Sequence, residues 1–281
     1  MSALTVEGLT KRFGDRPALD GVGFSVEPGE LFAYLGPNGS GKTTTIRILT
    51  RLTRPSAGRV LLDGCDLFCE GPAAVRRVGL VPQTVNLDRD LSVRDNLDLH
   101  GRFFGVPAAR RREKIAELLA YAGLEERAES LVKELSGGLQ RRVLIIRALI
   151  HEPRILLLDE PSIGLDPAIR RQLWALIKRI QKSGTTIFMT THYIEEAELL
   201  ADRVAFLCEG RLAAIDTPAG FIAAIGRWAV DHADGEGLAS SYFNDRRAAI
   251  AAAQAGEEGF RLRAVNLEDA FLQLTGKRVL P

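Results

Sequence analysis

Lys42 and Thr43 end the run Gly36-Pro37-Asn38-Gly39-Ser40-Gly41-Lys42-Thr43: a glycine, four residues, then Gly-Lys-Thr. This spacing suits a chain of phosphates. Glycines in the loop let backbone N–H groups approach anionic oxygens closely. A helix beginning at the loop's end points its positive terminus at the same anion. Lys42 supplies a point charge for the β- and γ-phosphates, Thr43 offers a hydroxyl to Mg²⁺, and Thr44 stands beside it in the first turn. A second pair, Asp159-Glu160, ends the apolar run Ile155-Leu156-Leu157-Leu158. There Asp159 is suited to hold Mg²⁺, directly or through water, and Glu160 to polarise an attacking water. Gln83 and His192 also stand just beyond apolar stretches of strand length. A lone Gln or His is usually structural, and these two gain weight from their place relative to the other motifs.

Such groups converge only if several strands end at one edge of a sheet. Leu31–Leu35 is an apolar run of strand length that ends at Gly36, and Thr43–Leu52 follows with helical spacing, Ile46, Leu49 and Leu52 forming its inner face. Strand, glycine-rich loop, helix is the context that the phosphate-binding match requires. Leu4–Leu9, Gly23–Val26, Val60–Leu62 and Val78–Val81 read as further strands, with turn material at Gly14-Asp15-Arg16-Pro17. From about Leu87 to Leu149 the pattern turns helical, as in Ile115, Leu118, Leu119 and Leu124, which predicts a helical insert between two strands. Ile155–Leu158 suits a strand buried on both faces. Arg170–Lys182 is a helix, Thr185–Thr190 a strand, Ile194–Ala201 a helix and Val204–Leu207 a last strand. Alternating strand and helix gives an α/β fold with a mostly parallel sheet and an antiparallel β portion at the N-terminus. Composition shifts near Asp216-Thr217-Pro218; beyond it lie alanine-rich pieces, Ala219–Ile225 and Arg246–Ala255, around Asp231–Gly237.

The chain has 281 residues, 46% apolar and 26% charged, in the range of a globular protein. With 37 basic and 36 acidic residues the net charge is +1, and nothing in that balance argues for a nucleic-acid partner. The basic runs Arg110-Arg111-Arg112 and Arg141-Arg142 read most simply as solvated helix faces. No apolar stretch approaches the ~20 residues needed to cross a bilayer, and the N-terminus lacks the layout of a signal peptide; the expectation is a cytoplasmic chain. Cys65, Cys69 and Cys208 have no metal-type spacing and read as free thiols.

The order of these motifs, joined by Leu135-Ser136-Gly137-Gly138-Leu139-Gln140, resembles the nucleotide-binding subunit of an ATP-binding-cassette (ABC) transporter over roughly residues 3–215. Gly36–Thr43 resembles the Walker A loop, Leu158–Glu160 the end of Walker B, Gln83 the Q-loop, Gly164-Leu165-Asp166 the D-loop and His192 the switch histidine. Leu135–Gln140 resembles the family signature, which makes the match far more specific than the phosphate loop alone. The resemblance implies a P-loop NTPase core over 1–216, with the helical subdomain (about 87–149) inserted, and a small C-terminal α+β appendix over 217–281. It implies ATP and Mg²⁺ as ligands, with Thr43, Gln83 and Asp159 around the metal and Glu160, His192, Gln83 and Lys42 catalytic. It also implies a head-to-tail dimer in which Ser136, Gly138 and Gln140 of one copy reach the nucleotide held by the other, with Asp166 nearby. Phe13 stands where the family puts an aromatic against adenine, although a lone Phe is as often core. Asp166 is equally readable as a turn or cap residue.

Where the family often has Pro-Thr, this chain has Pro161-Ser162-Ile163, which keeps the hydroxyl. Glu129–Glu134 lacks the glycine-containing run of fused multidrug exporters, which favours a stand-alone ATPase pairing with separate membrane permease subunits at the inner face of the membrane. Val265–Gly276 resembles the tail of ATPases in the daunorubicin-resistance and nodulation-export group, so an exporter is expected. Val85, Leu87, Leu91 and Val93 either line a groove for the permease or are core. The alternative function is a soluble ABC-type ATPase without a transporter, but the long coiled coils or doubled cassettes of such proteins are absent from the sequence.

Overall fold

Five residues, Leu31–Leu35, explain the layering of the molecule. All five are buried, and because side chains alternate along a strand, Leu31, Ala33 and Leu35 face one apolar layer while Phe32 and Tyr34 face another. The computed structural model describes residues 1–69, 72–234, 237–255 and 260–276. Its elements in order are β1 (Leu4–Phe13), β2 (Arg16–Val26), β3 (Leu31–Leu35), α1 (Lys42–Leu49), β4 (Ala57–Leu62), β5 (Cys65–Asp66), α2 (Pro72–Val75) and β6 (Val78–Val81). Then come α3 (Val93–Phe103), α4 (Ala108–Ala122), α5 (Gly137–Leu149), β7 (Ile155–Asp159), α6 (Pro167–Lys182), β8 (Thr186–Thr191), α7 (Ile194–Leu200), β9 (Arg203–Cys208) and β10 (Arg211–Asp216). The chain closes with α8 (Pro218–Ile225), β11 (Trp228–Asp234), β12 (Gly237–Phe243), α9 (Arg246–Ala255), β13 (Arg261–Ala264) and α10 (Leu267–Thr275).

The central sheet has the order β10-β9-β3-β8-β7-β6. Its four pairings from β9 to β6 are parallel, and β10 pairs antiparallel at the edge. Strands β3, β6, β7 and β8 therefore all end at one rim, the rim at which open α/β sheets bind ligands. One face is covered by α1 and by the antiparallel sheet β2-β1-β4-β5. There Phe24, Phe32 and Phe188 stack with centroids 5.2–6.1 Å apart. The other face carries α3 to α7. Helix α6 buries Leu173, Trp174, Leu176, Ile177 and Ile180, the one-sided apolar stripe of an amphipathic helix. A third sheet, β12-β11-β13, is antiparallel and lies beyond the main sheet in sequence.

Several expectations need correction. β9 is not the last strand: β10 and the three strands of the C-terminal sheet follow. The segment Asp231–Gly237 is mostly strand, with residues 235–236 outside the described residues. Helix α1 stops at Leu49, where Thr50 turns its hydroxyl back onto the Ile46 carbonyl at 2.8 Å, and Arg51 has φ 59°. Leu52 is consequently 68% exposed, not on the inner face. Leu87 and Val93 are core, whereas Val85 is 40% exposed. The arginine runs are not uniformly solvated: Arg111 and Arg141 are both buried.

Candidate functional site

The ends of β3, β6, β7 and β8 meet around a pocket of ≈ 190 Å³ lined by Ala18, Asn38, Gly39, Gly41, Lys42, Thr43, Thr44, Gln83 and Glu160. The loop after β3 feeds directly into α1. Gly41 occupies the N-cap with φ 113°, a region that L side chains avoid. A Cβ there would also sit 2.6 Å from the Ala18 carbonyl oxygen. Only glycine lets the loop turn this tightly against β2. Lys42 is 4% exposed. Its ammonium donates to the Gly36 carbonyl at 2.7 Å and the Pro37 carbonyl at 3.1 Å, and pairs with Glu160 Oε1 at 3.1 Å. Ser40 Oγ is buried within the loop without a hydrogen-bond partner among the described residues. An orphan hydroxyl costs free energy, and a phosphate oxygen is the kind of acceptor that removes the cost.

Glu160 is the centre of the cluster. It follows β7 with φ 47°, a left-handed conformation that is strained for a side chain of this type. Two bonds over-determine it: its N–H donates to the Thr190 carbonyl at 3.0 Å and to Thr190 Oγ1 at 3.2 Å. Oε1 faces Lys42, and Oε2 accepts from His192 Nδ1 at 2.9 Å. Burial pushes the Glu160 carboxyl up, but the His192 hydrogen bond and the Lys42 charge outweigh it, so the group is held below the ordinary carboxylate range. Asp159, one residue earlier, moves the other way. Burial raises it, against the Thr190 Oγ1 donor at 2.6 Å. Two neighbouring carboxylates are thus pushed apart, one toward holding its charge and one toward needing a cation. Hydroxyl, carboxylate and amide oxygens from Thr43, Asp159 and Gln83 are hard donors that fit Mg²⁺.

The signature stretch lies outside this pocket: none of residues 135–140 lines it. Ser136 is the exposed N-cap of α5. Gly138 is buried, and a Cβ on it would meet Ile169 Cγ2 at 2.3 Å, so the start of α5 is wedged against α6. Gln140 does not project freely, since its amide donates to the Leu135 carbonyl at 2.9 Å and the Val132 carbonyl at 3.2 Å. Asp166 is the exposed N-cap of α6, with Pro167 behind it and no capping bond from its own side chain. Phe13 is 56% exposed at the end of β1, with Lys11 Nζ 5.0 Å from its ring centroid. It is not core, and it does not line the pocket.

Four residues around the site escaped the sequence reading. Thr190 organises both carboxylates from β8, and Ala18 forms a pocket wall from β2; neither belongs to a motif. Glu196 on α7 is fully buried, and its Oε1 accepts from Ser162 Oγ at 2.7 Å and Trp174 Nε1 at 2.8 Å. Burial raises its pKa. It explains the Pro161-Ser162 departure, because serine supplies the hydroxyl that ties the chain after Glu160 to the helix after His192. Arg141 donates to the carbonyls of Pro82 and Gln83, and only the arrangement of α5 beside β6 makes it visible.

With that geometry in place, similarity to known proteins becomes informative. Residues 19–163 match the "ABC transporter" family profile. The chain is 40% identical to "Nod factor export ATP-binding protein I" of Ralstonia nicotianae, covering 98% of this chain and 94% of that one. It is 39% identical to the protein of the same name from Cupriavidus metallidurans, covering 98% of each. Among solved structures it resembles a Clostridium perfringens part of the cbiONQ ABC transporter complex, at TM-score 0.73 and 30% identity over 79% of this chain and 91% of that one. It also resembles a dimeric ATP-binding cassette in a post-hydrolysis state with ADP and Pi, at TM-score 0.68 and 30% identity over 76% and 98% of the respective chains. Among the described residues no helix is long and apolar enough to cross a membrane. The chain belongs to the ATP-binding-cassette transporter family and is one of its ATP-binding, ATP-hydrolysing subunits, with Mg²⁺ as the usual cofactor.

Proposed function

We propose that the pocket is half of a composite ATP site, and that two copies complete each other head to tail. The observation that carries this reading is the split itself. The phosphate loop, Glu160 and Gln83 share one pocket, while Ser136, at the positive end of the thirteen-residue helix α5, is exposed and outside it. A helix N-terminus capped by an exposed hydroxyl, whose oxygen accepts from the Leu139 N–H and whose O–H can still donate, favours an anion, and the anion it would meet is the triphosphate of a second copy.

In this reading Gly36, Pro37, Asn38, Gly39, Ser40, Gly41 and Thr44 enclose the phosphates. Lys42 exchanges its carbonyl partners and Glu160 for β- and γ-oxygens. That exchange frees Glu160 Oε1 to accept a proton from water, while His192 holds the other carboxylate oxygen and faces the γ-phosphate. Thr43 and Asp159, with Gln83, would hold Mg²⁺, which would supply charge neutralisation at the phosphates. The partner's Ser136 and Gly138 close the site, Gln140 shapes their turn from within, and Asp166 lies at the same interface. Positioning and electrostatics then provide most of the catalysis. Phe13, exposed at the end of β1, is the candidate adenine contact.

The chain would act as a peripheral subunit at the cytoplasmic face of the membrane, driving separate permease subunits. The exposed Val85, Leu99 and Phe103 form the apolar surface for that contact. Export is the proposed direction, supported by the printed names of the full-length relatives. We also propose residues 1–216 as the nucleotide-binding unit and 217–281 as a C-terminal subdomain that leans on it through α8 and α10.

Ser136→Arg tests the composite site. A bulky cation at the N-cap should leave nucleotide binding by the monomer within about twofold, yet abolish ATP-driven dimerisation measured by light scattering. Equal dimerisation in the variant and the parent would defeat the reading.

A further inference from the structure

Glu196, in the first turn of α7, is a buried titratable group that makes no contact with the pocket. It is 0% exposed, as is Ser162, and neither residue lines the pocket. Withdrawing a carboxyl from water is expensive, and burial accordingly raises the Glu196 pKa. A leucine would fill the space beside α6 without that cost. What the carboxyl adds is an acceptor. Ser162 Oγ and Trp174 Nε1 both donate to the one oxygen Oε1, at 2.7 Å and 2.8 Å.

The bond to Ser162 matters because of the residue two positions before it. Glu160 has φ 47°, and a side-chain-bearing residue keeps such a conformation only where its surroundings enforce it. On the entering side its N–H is tied to Thr190 on β8. On the leaving side the chain turns through Pro161, and the Ile163 N–H closes the turn on the Glu160 carbonyl at 3.3 Å. That bond is longer than the usual range for an amide donor, so the turn needs a second hold. The Ser162 hydroxyl supplies it at 2.7 Å, and its acceptor belongs to the helix that follows His192. Trp174 fixes the same acceptor from α6. One carboxyl therefore ties the turn after Glu160 to the element after His192, and those two side chains meet at 2.9 Å.

We propose that Glu196 is a positioning residue for ATP hydrolysis: as the buried acceptor for Ser162 it keeps Glu160 in its left-handed turn, with Oε1 toward Lys42 and Oε2 against His192. Without that acceptor the turn relaxes toward an ordinary backbone conformation and the carboxylate moves. A misplacement of about 1 Å caused far from the chemistry can cost on the order of 10²-fold in rate. Glu196 thus governs turnover and not ATP affinity, because the phosphate loop from Gly36 to Thr44 makes no bond to it. The inference rests on the reading of Glu160 as the general base and adds what holds that base in place.

The test measures ATP hydrolysis, ATP affinity and melting temperature in the full chain. Ser162→Ala deletes one hydroxyl. Its kcat should fall about tenfold, the loss of one good hydrogen bond to the placement of the base, while KM and the binding of a fluorescent ATP analogue stay within about twofold. Glu196→Leu should fall at least as far, and the double variant should be no slower than the slower single one, since the two act through one bond. Ser162→Thr keeps the hydroxyl and Glu196→Gln keeps the accepting oxygen, so each should stay within about threefold of the parent. A merely structural bond would behave differently: Ser162→Ala would lower the melting temperature and leave kcat per folded molecule unchanged. That result overturns the proposal, as does a Glu196→Gln as slow as Glu196→Leu. If Glu196→Leu does not fold, Ser162→Ala decides. Glu160→Gln, measured alongside, separates the two readings. Near-normal turnover there removes the base and its positioning residue together; a slow Glu160→Gln beside an Ser162→Ala of parental kcat removes the positioning role alone.

Discussion

The pocket rim of the central sheet and the C-terminal sheet are both organised around a cation and two carboxylates, yet they handle charge in opposite ways. At the rim, each of Glu160's oxygens has a single partner, Lys42 or His192, and Lys42 completes its bonding on loop carbonyls. Glu160 also sits on strained backbone. In the C-terminal sheet Arg263 is forked between Asp231 on β11 and Asp269 on α10 by four contacts of 2.7–3.0 Å. Those aspartates are then closed off by Ser240 Oγ, Tyr242 Oη and the Asn266 N–H. Hydrogen bonds donated to Asp269 lift the Arg263 pKa above its ordinary value despite burial. The rim holds partners that a ligand can replace. The C-terminal fork leaves nothing to replace, and its role is to hold β11, β13 and α10 together.

If that division is right, substitutions at the rim should move rate without stability, and substitutions near α10 should do the reverse. The largest effect is expected for Glu160→Gln. Hydrolysis should slow by at least ~10²-fold, as for loss of a general base, with ATP binding retained and unfolding free energy changed by no more than about 1 kcal/mol. A near-normal turnover would remove Glu160 from the role. Next comes Phe271→Ala. Phe271 is fully buried against Phe206, ring centroids 5.2 Å apart, and Phe221 stacks on the same ring at 4.3 Å. Deleting that ring should cost about 3–5 kcal/mol in urea unfolding, while turnover per folded molecule stays within about twofold. The same contacts mean that a chain cut at Thr217 loses both covers of Phe206, so the proposed C-terminal subdomain leans on the main core rather than hanging from it.

The contrast also marks what could be read without coordinates. β3 and β6 were legible to the residue, because a strand buried on both faces must be a continuous apolar run, and each run here stops at a turn-forming residue. The pocket motifs were legible because the phosphate loop is contiguous and the remaining groups stand at strand ends. β10 escaped because Arg211–Asp216 is a short run with two alanines at its centre and a charged residue at each end, lying at a sheet edge with only half-buried or exposed positions. The same holds for β13, Arg261–Ala264. Arg111 and Arg141 were misread as solvated because their partners are remote in sequence: Asp98 for the first, and Pro82 and Gln83 for the second. Charge in a helical run says nothing about which turn faces another element. Glu196 was invisible for the same reason, since it sits among ordinary helix residues and its function is to accept from Ser162 and Trp174 across two other elements.

The smallest expected effect sharpens the comparison through pH. Burial pushes both Asp231 and Asp269 up, but the Arg263 hydrogen bonds outweigh it, and each carboxyl is held below its ordinary value. In the unfolded chain these groups titrate near 3.9. When pH falls below about 5, the unfolded state takes up protons before the folded state does, so stability declines. The fork's contribution is therefore complete above the unfolded value and drains away as pH drops through the folded ones. Arg263→Met removes the cation that depresses both groups. It should cost about 1–2 kcal/mol near neutral pH, discounted for the partial exposure of the arginine. Urea midpoints of variant and parent should then draw together progressively as pH is lowered below the unfolded value. A gap that stays constant across this range would mean that the arginine stabilises α10 by packing its methylenes and not by its charge. In that case the C-terminal sheet would not be the mirror of the rim that its geometry describes.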